Sequence, residues 1–202
     1  MKVNRHRFGI LFLILFLLCL LISGICVFEN YGATPDEINQ IEAGHITFQF
    51  LSDTFGGTTD YFPDLPDLPD YYNRYYGQAA TFPTVIYEAY RGFSLDSSTI
   101  IRLRHLWNYL TFFVSLCFWA FLLGKRFGSI PAAVIGTLAL FLSPRIFADS
   151  FTNDRDIIFL SWLIIAFCTF FILSRRTGLF ASLFMGFATA IAINTRYFWL
   201  FL

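Results

Sequence analysis

Charge is what this chain has least of. Only 14% of its 202 residues are Asp, Glu, Lys or Arg, and the fourteen bases cancel the fourteen acids. A soluble domain carries about 25% charged residues, so an ordinary water-exposed globule is excluded. No basic tract or basic excess argues for nucleic acid. Cysteine is scarce too: Cys19, Cys26, Cys117 and Cys168 all lie inside apolar runs, without metal-ligand spacing. They read as small hydrophobes facing lipid or other helices, and they leave the redox compartment open. No phosphate loop, dinucleotide fingerprint or Ser/His/Asp constellation is present, which moves nucleotide hydrolysis and soluble-cofactor chemistry out of the first rank. His45 and His105 stand apart with no third ligand, and His45, on an apolar stripe, reads as packing or interface.

Apolar residues fill the space that charge leaves. The chain is 56% hydrophobic and 20% aromatic, with a mean hydropathy of +0.60. Several long apolar runs make it an all-α polytopic membrane protein. The first run, Phe8 to Phe28, follows a basic start of Lys2, Arg5, His6 and Arg7. Its residues cover roughly 31 Å as a helix, enough to cross a hydrocarbon core. A cleaved signal peptide is the competing reading, but the run is longer than the usual h-region and no small-x-small site follows. A retained span is expected.

Further spans are expected at Leu103–Leu123, Ser129–Phe147, Ile157–Leu173 and Gly178–Ile193, with another beginning at about residue 197. Bases cluster at one set of ends: the N-terminus, Lys125–Arg126 and Arg175–Arg176. The positive-inside rule then places the N-terminus in the cytoplasm; a bacterial inner membrane is the expected location. The segment from Glu29 to Arg102, with eleven acids and three arginines, becomes an extracytoplasmic loop. Within it Thr34-Pro35-Asp36-Glu37 has the form of a helix start: Thr as N-cap, Pro first, Glu closing a capping box. Ile38, Ile41, His45 and Phe48 follow at helical spacing. A second short helix is expected from about Pro83 to Tyr90, and both suit the membrane interface. Between them Pro63, Pro66 and Pro69 recur every third residue, which favours polyproline II with Asp64, Asp67 and Asp70 on one ridge. Such a ridge reads as solvated rather than as a cation site.

Two stretches carry the candidate chemistry. Asp36 and Glu37 start a helix, where acids suit the macrodipole; alternatively Asp36 faces a cavity and takes a proton from an acceptor hydroxyl. The stretch Ser143 to Asp156 is expected as a short loop on the same face as Asp36. It places Arg145, Asp149, Asp154, Arg155 and Asp156 between two spans, where charge is expensive and has a partner or a task. Arginine there suits a lipid phosphate, and the plain alternative is a set of loop-to-loop salt bridges.

The order of these features resembles the GT-C membrane glycosyltransferases. The nearest likeness is to the family thirty-nine type, related to protein O-mannosyltransferases and bacterial aminoarabinose transferases. The resemblance rests on a span, an external loop opening with Asp36-Glu37, interfacial helices, and LSPRIFADSFTNDRDIIFLS (Leu142–Ser161) as a second loop. It also rests on Tyr75-Tyr76-Gly77 through Arg104-His105-Leu106, and it covers Phe8 to Leu202. It implies a GT-C-like N-terminal membrane module that moves a sugar from a polyprenyl-phosphate donor, with inversion, to a lipid, glycan or protein acceptor. By the same resemblance Asp36 (with Glu37) is the catalytic carboxylate. Arg145, Asp154, Arg155 and Asp156 serve the second loop, with Arg196 near the donor phosphate. No metal ligands are assigned, although a divalent cation is compatible with the chemistry. The family's chains are much longer, so this chain is expected to be an N-terminal portion and inactive alone. The alternative from another class is a non-catalytic transporter half or lipid-binding scaffold.

Overall fold

The computed structural model describes residues 2–57, 65–92, 98–173 and 178–196, with side chains from Arg7 onward. The expected span from residue 197, the Arg175–Arg176 pair and Asp64 lie outside the described residues. Among the described residues every regular element is a helix: α1 Lys2–Val27, α2 Pro35–Thr54, α3 Phe82–Arg91, α4 Ser98–Phe127, α5 Ile130–Phe141, α6 Pro144–Thr152, α7 Asp156–Leu173 and α8 Leu179–Thr195. Among the described residues three helical segments are long and apolar enough to cross a membrane, Arg7–Asn30, Ser98–Phe127 and Asp156–Leu173, and a fourth passes only when α5 and α6 are taken together as one bent span. The chain is thus all-α with the composition of a membrane protein. α8 is apolar but shorter, at 17 residues.

The expected span Ser129–Phe147 is not one helix. α5 ends at Phe141, and α6 departs from it at 67°. Proline explains the break: Pro144 lacks an N–H and disfavours helical backbone at Ser143, which sits extended at φ −63°, ψ 115°. The stretch read as a second loop is therefore largely helix, from Pro144 to Thr152.

The polyproline ridge is also broken. Asp67 is extended (φ −64°, ψ 143°), but Leu68–Asp70 closes a 3-10 turn whose first residues include Pro69. Leu65, Leu68 and Tyr71 pack on Ala43 and Ile46 of α2, which favours a compact loop over a free extended one. The start of α2 follows the sequence reading. Thr34 Oγ1 accepts from the Glu37 N–H, and Glu37 reaches back to the Thr34 N–H. The buried face of α2 differs from the expected stripe, however. Ile38 is exposed, while Glu37, Gln40, Ile41, Gly44 and His45 are buried.

Packing around α4 builds the bundle. A core of Leu20, Tyr109, Phe112, Leu116, Phe141, Phe151 and Ile157 joins α1, α4, α5, α6 and α7. Phe151 stacks on Tyr109 (centroids 5.0 Å apart) and on Tyr31 (4.5 Å), which seats α6 against α4 and the end of α1. Tyr109 Oη donates to Leu20 O. α1 can approach because residue 24 is glycine: a Cβ there would lie 1.9 Å from Tyr109 Cζ. Gly24→Leu is expected to destabilise the protein by about 1–3 kcal/mol through overpacking. Gly32→Ala, with nothing within 4 Å of its added Cβ, is the neutral control. Unfolding in detergent with rising denaturant checks both.

Candidate functional site

Polar side chains enter the protein on the first turns of α4. Arg104, His105 and Asn108 lie on its buried face, and each reaches a different segment. Arg104 donates from Nε to Glu88 Oε1 and from Nη2 to Glu88 Oε2, both at 3.0 Å, which ties α4 to α3. The fork matches the carboxylate in geometry as well as charge. His45 Nε2, on α2, lies 2.6 Å from Glu88 Oε2. His105 Nε2 lies 2.9 Å from Glu37 Oε1, and its Nδ1 is 3.3 Å from the Phe28 carbonyl. Asn108 Nδ2 donates to Phe151 O at 3.0 Å, and Trp107 Nε1 donates to Ala80 O at 3.0 Å. Gly44 lets α2 close onto this cluster, since a Cβ would sit 3.0 Å from Val85 Cγ2 and 3.4 Å from Arg104 Nη2.

Burial sets the electrostatics. It pushes the Glu88 carboxyl up, but the His45 hydrogen bond and the Arg104 guanidinium outweigh it and hold Glu88 below the usual carboxylate range. Burial also lowers His45 against the pull of Glu88, so a neutral imidazole donating from Nε2 fits the pair. Asp154 is in a different position. It is 5% exposed, and its Oδ2 has no hydrogen-bond partner. Arg104 Nη1 stands 3.8 Å away, an ion-pair distance but too long for a hydrogen bond. Burial raises Asp154 to about 7; Arg104 and Arg155 oppose that rise, and Glu37 adds to it.

A cavity of about 260 Å³ opens beside this network. Thr34, Asp36 and Gln40 of the α2 start form one wall. Asp149 and Thr152 of α6, residues 153–156 and Arg196 form the others. Asn153 and Asp156 cap the start of α7 reciprocally: the Asp156 N–H donates to Asn153 Oδ1 at 2.8 Å, and Asn153 Nδ2 donates to Asp156 Oδ2 at 3.2 Å. Arg155 lies over the Tyr76 ring at 3.9 Å, with its buried Nε and Nη2 lacking hydrogen-bond partners. Arg196 pairs with Asp156, and its Nε is likewise buried without one. A tether brings Arg196 here. The Ala79 N–H donates to Asn194 Oδ1 at 3.0 Å, and a Cβ at Gly77 would meet Asn194 O at 2.2 Å.

Of the seven residues singled out from sequence, Asp36, Asp154, Arg155, Asp156 and Arg196 line this one cavity. Glu37 is buried at 1% exposure behind the wall, engaged by the Thr34 N–H and His105. Arg145 is exposed and faces Asp149 at 3.6 Å, one helical turn along α6, without lining the cavity. Arg104, Glu88, His45 and His105 were not singled out as site residues. Two of them carried a signal: Arg104-His105 interrupts an apolar run, and an ionisable residue there points to a partner. Glu88 and His45 carried none, because their meeting depends on the fold. Among the described residues no group of three or more His, Cys, Asp or Glu side chains is placed to hold a metal ion. Comparison of the chain with protein-family models, curated proteins and solved structures finds no match.

Two outcomes follow for stability. Arg104→Met strands Glu88 as a buried charge and is expected to cost about 3–5 kcal/mol. Arg104→Met paired with Glu88→Leu is expected to recover most of that loss, read by denaturant midpoint. The second outcome concerns pH. Asp154 binds its proton more tightly folded, at about 7, than unfolded, near 3.8. Its contribution is therefore full below the unfolded value and is lost as pH rises through about 7. Asp154→Asn is expected to flatten that part of the stability-against-pH curve, measured as Tm in detergent across the same range.

Proposed function

We propose that this chain belongs to a membrane glycosyltransferase of the GT-C kind, with the cavity between α2 and the α6–α7 corner as its reaction chamber. The observation that carries the reading is one shared space: Asp36 from the first loop faces Arg155, Asp156 and Arg196, residues more than a hundred positions away. In this reading Arg155 and Arg196 receive the phosphate of a polyprenyl-phosphate sugar. Their guanidinium groups, which line the cavity, meet the charge that grows on the leaving phosphate oxygen. Asp36, exposed at the rim of α2, takes the proton of the acceptor hydroxyl as that oxygen bonds to the sugar carbon. The C–O bond to phosphate breaks from the opposite side, which inverts the centre. Asp156 orients Arg196 through their ion pair. The acceptor is a lipid, a glycan or a protein, and the reaction face is extracytoplasmic in a bacterial inner membrane, with the N-terminus in the cytoplasm.

One observation favours a second, non-catalytic reading as a transporter half or lipid-binding scaffold: the 67° break between α5 and α6. Discontinuous helices are a device of transporters. Turnover separates the two. In the full-length protein, reconstituted in liposomes with a polyprenyl-phosphate sugar, Asp36→Asn is expected to cut transfer by roughly 10²-fold or more. Donor binding and the circular-dichroism spectrum stay as in the wild type. Undiminished transfer by Asp36→Asn contradicts the role given to Asp36; donor binding without turnover in the wild type favours the scaffold.

A further inference from the structure

The buried network is out of charge balance, and the imbalance points at one side chain. Three carboxylates, those of Glu37, Glu88 and Asp154, are each at most 5% exposed, and Arg104 is the buried guanidinium that reaches two of them, with Arg155 next to Asp154 in sequence. Arg104 spends two of its three nitrogens on Glu88, at 3.0 Å each. His45, on the far side of Glu88, supplies a hydrogen bond to the same carboxylate. Glu37 accepts from the Thr34 N–H on Oε2, and its Oε1 has His105 Nε2 at 2.9 Å, a close pair without hydrogen-bond alignment. Asp154 is left with Arg104 Nη1 at 3.8 Å and with no donor on Oδ2. A buried ionised carboxylate with one oxygen lacking a hydrogen-bond donor is expensive, and burial favours its protonated form.

Asp154 is also the member of the network that lines the cavity. The charges facing it there come from every wall. Asp36 on α2, Asp149 on α6 and Asp156 at the start of α7 add negative charge; Arg155 and Arg196 add positive charge. With Asp154 ionised, four carboxylates oppose two guanidinium groups, and an incoming anion meets net repulsion. With Asp154 protonated, one of those charges is gone, and its O–H becomes a donor that an anionic oxygen accepts from.

We propose that Asp154 is a proton-binding residue of the cavity, so that a phosphate group settling on Arg155 and Arg196 does so together with uptake of a proton on the Asp154 carboxylate. The proposal rests on the donor-phosphate reading above and adds its regulation by pH. The balance is simple: one proton leaves solvent, one O–H bond forms on Asp154, and no other covalent bond changes. By linkage, a ligand that binds the protonated form better raises that form's population and binds more weakly as pH rises.

The test is binding, not turnover. Affinities of a polyprenyl monophosphate and of inorganic phosphate are measured on the protein in phosphatidylcholine nanodiscs at about pH 6 and about pH 8, for wild type and Asp154→Asn. The ligand's own ionisation affects both proteins alike, so the comparison isolates Asp154. Wild-type affinity is expected to fall with pH roughly fivefold or more beyond the fall in the variant. Calorimetry at about pH 8, in two buffers of different ionisation enthalpy, is expected to show extra proton uptake by the wild type. A second readout needs no ligand: the infrared band of a protonated carboxyl in the wild type, absent in Asp154→Asn. An excess pH effect with polyprenyl phosphate alone names a lipid source, and the same effect with both probes names the phosphate group itself. Equal pH dependence in the two proteins overturns the proposal while leaving donor binding intact. Absence of that carboxyl band at about pH 6 overturns it too. Failure of both probes to bind at either pH overturns the proposal and the donor-phosphate reading together.

Discussion

The fork between Arg104 and Glu88 is the interaction on which the loop end of this protein depends. Charges taken out of water are tolerated only where geometry and hydrogen bonding compensate them. Here both contacts are at 3.0 Å and both side chains are almost wholly buried. A guanidinium fork fixes direction as well as distance. It therefore sets how α3 stands on α4, and His45 and Gly44 carry that placement to α2. The position of the α2 start, and of Asp36 on it, follows from a pair that does not itself reach the cavity.

The remaining walls are held by unlike means, and each has a local cause. Phe151 seats the end of α6 by stacking on Tyr109 and Tyr31, while Asn108 satisfies its carbonyl. Residues 153–156 turn the chain into α7 through the reciprocal Asn153–Asp156 cap, which leaves Asp154 facing inward and Arg155 against Tyr76. Asn194 clasps the loop at Gly77 and Ala79, so Arg196 emerges at the cavity. Four stretches distant in sequence thus meet with their polar side chains oriented. Such preorganisation is what an anion-binding or group-transfer site needs.

Much of the helical layout was legible because composition and capping act locally. The long apolar run of α1, the Thr34–Glu37 capping box and the short helix before Gly92 follow from hydropathy and from residues a turn apart. The α5–α6 break was hidden by hydropathy, since Leu142 and Ser143 interrupt backbone direction without interrupting an apolar window; the proline at 144 was the readable sign. Asp154, Arg155 and Asp156 were legible as cavity members because ionisable residues crowd one short stretch between two spans, whereas Asp36 stood out at a helix start and Arg196 only through the family resemblance. Glu37 shows the limit of that logic, since a carboxylate beside Asp36 in sequence is turned by the helix to the buried face. The network of Arg104, Glu88, His45 and His105 depends on how three helices pack, which periodicity does not encode.

The most direct test of this account uses a polyprenyl phosphate with a photoreactive group beside the phosphate. It is added to the protein in nanodiscs, and the labelled residues are mapped by mass spectrometry. The account predicts labels within Thr34–Gln40, at residues 149–156 and at Arg196, the walls of the polar cavity. A second, apolar groove lies between α4, α5 and α7, lined by Trp119, Leu140, Leu160 and Ile164. Labels confined to that groove, with none at the cavity, would contradict the assignment of the phosphate to Arg155 and Arg196.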